Sequence, residues 1–170
     1  GAHFYNKKAL NPLLFYVKLN EKRIFMTKRY QEILLFLKEQ AREAGAIMLQ
    51  YYDGGYEIYT KPDRSKVTDV DLKISELVQE RRRTFFPEVV LFSEESPKSV
   101  FHPGRDHFII DELDGTSYFI SKIPGFTHQA AFYDGEKADL QIGLVYYPMD
   151  DLMLYAVRGG GVFLEKNGQP

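Results

Sequence analysis

From Thr27 onward the apolar positions fall into a helical rhythm. Ile33, Leu34, Leu37, Ala41, Ala44, Ile47, Met48 and Tyr51 recur three and four apart, the spacing of one helix face. Thr27 is placed to cap that helix and Gly54-Gly55 to end it. The period then changes to two over Tyr56–Thr60, which predicts a strand, and Lys61–Lys66 is a polar loop with Pro62 and Asp63 as turn residues. A second helix is predicted after Thr68, with Asp71 three residues on as capping partner. Its apolar stripe is read as Leu72, Leu77 and Val78, joined by Ile74 and Phe85. Arg81-Arg82-Arg83 suits the negative end of the helix dipole, and Pro87 stops the helix. Val89–Phe92 is a short buried strand with Ser93-Glu94-Glu95-Ser96 at its tip.

Residues 97–106 read as a loop. The run Phe108–Ile110 predicts a buried strand over 107–111, which ends in acids and an Asp-Gly-Thr turn. After Gly125 a meander is expected, with strands around His128–Tyr133, Gln141–Tyr147 and Leu152–Val157 split by Asp134-Gly135 and Pro148–Asp151. Helices first and antiparallel strands later make the class α+β. Residues 1–26 carry no clean period and are expected to be an extension to a domain over 27–170. Asn167-Gly168 signals a hairpin turn with no returning strand after it, the pattern of a chain cut within an element. Gly159-Gly160-Gly161 lacks a following Lys-Ser/Thr and reads as a hairpin turn rather than a phosphate cradle.

Composition narrows the function. At 44% hydrophobic, 170 residues are enough for a real core. A net charge of −2 gives no support for nucleic-acid or anionic-membrane binding. The absence of Cys excludes disulfides and thiolate metal sites and fits a reducing compartment, so a cytoplasmic location is expected. The apolar runs are too short to span a bilayer, and the N-terminus lacks a signal-peptide layout. The four His have no zinc spacing and read as surface or packing residues.

The chemistry concentrates in three acidic clusters at predicted element ends: Asp69/Asp71, Glu94/Glu95 and Asp111/Glu112/Asp114. Alone, each is an ordinary cap, solvated loop or turn. If the strands ending at Phe92 and Ile110 run parallel as neighbours, however, their acidic tips lie side by side. Carboxylates so crowded, with no adjacent base, call for a hard cation such as Mg²⁺. Glu94, Asp111 and Asp114, with the Leu113 carbonyl, form the candidate ligand set. Thr116 and Asp71 are candidates to orient a metal-activated water. The amides of Gly115 and Thr116 at a helix start offer an anion site, and Lys61 adds charge stabilisation or restrains the acids.

Four stretches in this order and spacing resemble the inositol monophosphatase family of Mg²⁺-dependent, lithium-sensitive phosphomonoesterases. They are Lys61-Pro62-Asp63-Arg64-Ser65-Lys66-Val67-Thr68-Asp69-Val70-Asp71, Ser93-Glu94-Glu95-Ser96, Ile110–Phe119 with its Asp-x-Leu-Asp-Gly-Thr core, and Gly143–Pro148. The resemblance covers about Tyr30 to Pro170, the family's N-terminal portion. It implies the N-terminal part of a layered αβαβα sandwich, with two long helices on a largely antiparallel sheet. By the same resemblance Glu94, Asp111, Asp114 and the Leu113 carbonyl match metal ligands, Thr116 and Asp71 the water-activating pair, and Gly115 and Thr116 the phosphate-binding turn. Members are commonly homodimers.

Two departures stand out. Glu112 replaces the usual Pro, a charged side chain expected to add a ligand or loosen the turn. The family also draws a further metal-ligating Asp from a Trp-Asp segment, and this chain has no Trp. The expected function is Mg²⁺-dependent hydrolysis of a small phosphate monoester such as inositol monophosphate. The alternatives are a 3′(2′),5′-bisphosphate nucleotidase and, in another class, a non-catalytic binding or assembly module with an incomplete site.

Overall fold

The computed structural model describes residues 26–96 and 100–169, so apart from Met26 the expected N-terminal extension lies outside the described residues. Helix α1 spans Lys28–Tyr51. Thr27 caps it, its hydroxyl accepting from the Tyr30 amide at 3.3 Å, and Gly54 and Gly55 follow with positive φ. Ile33, Leu37, Ala41, Ala44 and Met48 are fully buried along one face. Each aliphatic side chain removed from water in this way stabilises the fold by roughly 1.5–3 kcal/mol, less for alanine.

Strands β1 (Ile58–Thr60) and β2 (Lys66–Thr68) form an antiparallel hairpin. Its turn is held by Asp63, which accepts from the Ser65 amide at 2.9 Å and hydroxyl at 2.7 Å. Helix α2 (Asp69–Phe85) starts from a complete capping box between Thr68 and Asp71. Its buried face is Val70, Asp71, Ile74, Ser75 and Val78. The expected stripe is therefore rotated: Leu72 is 42% exposed and Phe85 48%, and Leu77 is half-buried. The cap explains the phase, because turning Asp71 inward puts Ile74 and Val78 on the buried side and Leu72 outside.

The main sheet has the order β3-β4-β5-β6-β7-β8. Its strands are β3 (Val90–Ser93), β4 (His107–Asp114), β5 (Thr127–Asp134), β6 (Asp139–Tyr147), β7 (Leu152–Val157) and β8 (Gly161–Lys166). Among the described residues only β3 and β4 pair in parallel; the other pairs of this sheet are antiparallel. The class is α+β, as expected. Strand β4 runs three residues past its expected end at Asp111, and β8 adds a strand to the expected meander. Helix α2 lies over β3 and β4, and α1 over β5 and β6. Between them sit Phe108, Ile110, Phe132, Ile142 and Met153, with Phe36 of α1 stacked on Phe108 at 5.2 Å. On the opposite sheet face Ile109, Ala131, Val145, Leu154 and Val162 line an open groove of about 430 Å³. No helix among the described residues is long and apolar enough to cross a membrane.

Candidate active site

The parallel register Ser93↔Ile110 is what brings the acids together. Strand alternation sends Ser93, Ile110 and Glu112 toward the helices and leaves Glu94 and Asp111 on the other side. The Glu94 amide donates to the Ile110 carbonyl at 3.2 Å, so Glu94 follows directly on the last strand pair. Its carboxyl shares a hydrogen bond with that of Asp111. On the other flank the β4–β5 register shifts between Asp111↔Gln129 and Asp114↔Thr127, so that Glu112 and Leu113 of β4 stand against His128 alone of β5. This bulge turns Asp114 back toward the side of Asp111. Burial first, then the charges of Glu94 and Asp114, push the Asp111 carboxyl up to about 7, as burial beside like charges does.

Lys61, at the foot of the β1–β2 turn, donates to Glu95 at 2.7 Å and to Glu94 at 3.0 Å. Burial works to lower its pKa, but the two carboxylates outweigh that and raise it. Asp114 is held by Gln129, which donates to Oδ2 at 2.6 Å, and by Thr127 at 3.3 Å. With Glu94 drawn to Lys61 and Asp114 to Gln129, no group of three His, Asp or Glu side chains among the described residues stands ready to ligate an ion.

Beyond β4, Gly115 adopts a left-handed φ of 83° and leads into the short helix α3 (Thr116–Ile120). A Cβ there would be tight, 3.3 Å from both the Phe126 backbone and the Tyr118 ring, and the left-handed φ itself favours glycine. The Thr116 hydroxyl lies 3.0 Å from the Leu113 carbonyl and 3.3 Å from Asp71 Oδ1. Asp71 Oδ2 accepts from the Thr68 amide at 2.8 Å and hydroxyl at 2.6 Å. Burial raises the Asp71 pKa, partly offset by the Thr68 bonds. Sequence-expected Lys61, Asp71, Glu94, Asp111, Leu113, Asp114, Gly115 and Thr116 thus gather at the ends of β3 and β4.

Glu112 does not join them. It is fully buried on the helix side, where Ser93 Oγ donates to its Oε1, so it adds no oxygen to the acidic group. Ser93, Thr127, Gln129 and the buried pair Gln40–His128 were not expected here. His128 Nδ1 donates to the Glu112 carbonyl at 3.0 Å, with Gln40 behind its Nε2 at 3.4 Å. Only Gln129 had a signal: an amide at an alternating position of a strand that follows the acids.

The family model described as the inositol monophosphatase family matches residues 29–170. The 3′(2′),5′-bisphosphate nucleotidase CysQ of Escherichia coli strain K12 is 35% identical over 123 residues, 70% of this chain and 49% of that protein. A histidinol-phosphatase of Chlorobaculum parvum is 33% identical over 78% of this chain and 49% of its own length. The chain thus spans about half the length of the curated relatives it matches. The crystal structure of an IMPase/NADP phosphatase complexed with Mg²⁺ and phosphate superposes with a TM-score of 0.71 at 24% identity, covering 81% of this chain and 52% of that one.

Proposed function

The chain belongs to the inositol monophosphatase family, and from that premise we propose that it carries the metal- and phosphate-binding part of an Mg²⁺-dependent phosphatase for a small phosphate monoester. The observation that carries the reading is the parallel end of β3 and β4, where Glu94 meets Asp111 and the bulge brings back Asp114. The donor set suits a hard dication: carboxylate oxygens from Glu94, Asp111 and Asp114, with the Leu113 carbonyl. The raised Asp111 carboxyl marks a crowding that a dication would relieve. For ligation Glu94 would turn from Lys61 and Asp114 from Gln129. When bound, Mg²⁺ supplies Lewis acidity toward water and the phosphate oxygens.

The remaining groups have separable tasks. Thr116, giving its hydrogen to Asp71, would offer a lone pair to the attacking water. Asp71, made more basic by burial, is suited to take up the proton. The amides of Gly115 and Thr116 would hold phosphate oxygens. Lys61 would restrain the acids and balance phosphate charge. Residues 27–170 would form this unit, with 1–26 as an extension, in a cytoplasmic homodimer that binds neither nucleic acid nor membrane.

Inositol monophosphate is the substrate the family resemblance suggests. The CysQ relatives favour a second reading, a 3′(2′),5′-bisphosphate nucleotide. The non-catalytic module loses one of its warrants, since Glu112 points away from the acids. Phosphate release by the full-length protein from inositol monophosphate, adenosine 3′,5′-bisphosphate and histidinol phosphate, with and without Mg²⁺, separates these readings. Inactivity on all three would remove the enzyme. Asp114→Asn is expected to weaken Mn²⁺ binding by about tenfold or more, through the lost ligand charge. Equal uptake by both proteins in calorimetry would refute the site.

A further inference from the structure

Glu112 presents a cost with no evident return. It is fully buried, a desolvation loss that an apolar side chain would avoid and that the Ser93 and Ser75 hydroxyls offset only in part. What it does hold is the end of β3. The β3–β4 ladder stops at Ser93↔Ile110. Glu112 lies two residues further along β4 on the same face, and its bond from Ser93 Oγ prolongs the pairing by one side-chain link. On the opposite flank the bulge interrupts the β4–β5 ladder between Asp111 and Asp114. There the Glu112 carbonyl accepts from His128 at 3.0 Å. Residue 112 is therefore tied to both neighbouring strands, by its side chain to β3 and by its backbone to β5. Its chain neighbours are Asp111 and Leu113, and the residue after Ser93 is Glu94.

Resting on the proposed function, we propose that Glu112 is a positioning residue: its bond with Ser93 fixes the end of β3 against the β4 bulge and so sets how closely Glu94 approaches Asp111 and Asp114 for cation binding. A proline at this position would stiffen the bulge through its ring. Glutamate leaves φ free, and the buried tie supplies the stiffness instead.

The test is Mn²⁺ affinity at fixed pH, by calorimetry and electron paramagnetic resonance, read beside the melting temperature. Ser93→Ala and Glu112→Ala are each expected to weaken Mn²⁺ binding by roughly tenfold, the lower end of what supporting partners of metal ligands contribute. The double variant should bind no more weakly than Glu112→Ala alone, since that substitution already removes the Ser93 link. Glu112→Gln should stay within about twofold of the unsubstituted protein, because its amide oxygen still accepts from Ser93. Ser93→Thr, which keeps the hydroxyl, should likewise restore binding relative to Ser93→Ala, and that pair decides the matter if Glu112→Ala does not fold. A merely structural link would lower the melting temperature and leave Mn²⁺ affinity alone, and folded Ser93→Ala binding as well as the unsubstituted protein overturns the proposal. No Mn²⁺ uptake by the unsubstituted protein overturns the proposed function, and the positioning role with it.

Discussion

His128 should make the fold sensitive to acid in a way that can be isolated. Its imidazole is fully buried. Because Nδ1 donates to the Glu112 carbonyl, the neutral ring leaves Nε2 as an acceptor facing the Gln40 amide nitrogen. Burial pushes its pKa down to about 4 from 6.5, against the opposing pull of the Glu112 carbonyl. The folded protein therefore resists a proton that the unfolded chain accepts. This contribution to stability is intact above pH 6.5, falls as the pH drops below it, and levels off near pH 4. The pKa gap corresponds to roughly 3 kcal/mol in all, of which about 2 kcal/mol is lost by pH 5. Urea unfolding at pH 7 and pH 5, for the unsubstituted protein and for His128→Gln, reads this directly. The glutamine amide is able to donate to the same carbonyl and does not titrate, and carboxylate effects common to both proteins cancel in the difference. The unsubstituted protein should lose about 2 kcal/mol more than the variant between the two pH values. Equal losses would refute the burial of a neutral imidazole.

Two further outcomes follow from packing and from the site. Gly45→Ala would set a Cβ 2.4 Å from the Tyr146 ring and 3.0 Å from Pro148, where α1 crosses β6. The overpacking should cost about 1–3 kcal/mol, and an unchanged melting temperature would contradict the close approach. Thr116→Val keeps the shape but removes the hydroxyl beside Asp71. On the proposed function it should lower kcat by about a hundredfold while leaving Mn²⁺ affinity within a few fold, and an undiminished kcat would exclude Thr116 from water activation.

How far these features were legible in the chain depends on the range of the interactions behind them. Helix α1 was legible because its signals are local: a long 3.6-residue period, a Thr cap and a Gly-Gly stop. Helix α2 was legible in place but not in phase, because Asp71 spends its inward position on Thr68 and Thr116 and displaces Leu72 to the surface. Lys61, Glu94, Asp111 and Asp114 stood out as charges at element ends. The hold of Gln129 and Thr127 on Asp114 depends on the β4–β5 register, which no spacing within either strand encodes. Glu112 sits between these cases. Charge alone argues for the surface, and beside Asp111 it looked like a further oxygen for a cation. Yet Phe108 and Ile110 face the core, and a period of two sends residue 112 the same way and residue 111 the other. Of two adjacent acids on one strand, one had to be buried. Alternation already says which, whereas the partner that makes the burial tolerable, Ser93, comes from a parallel neighbour fourteen residues before the strand begins.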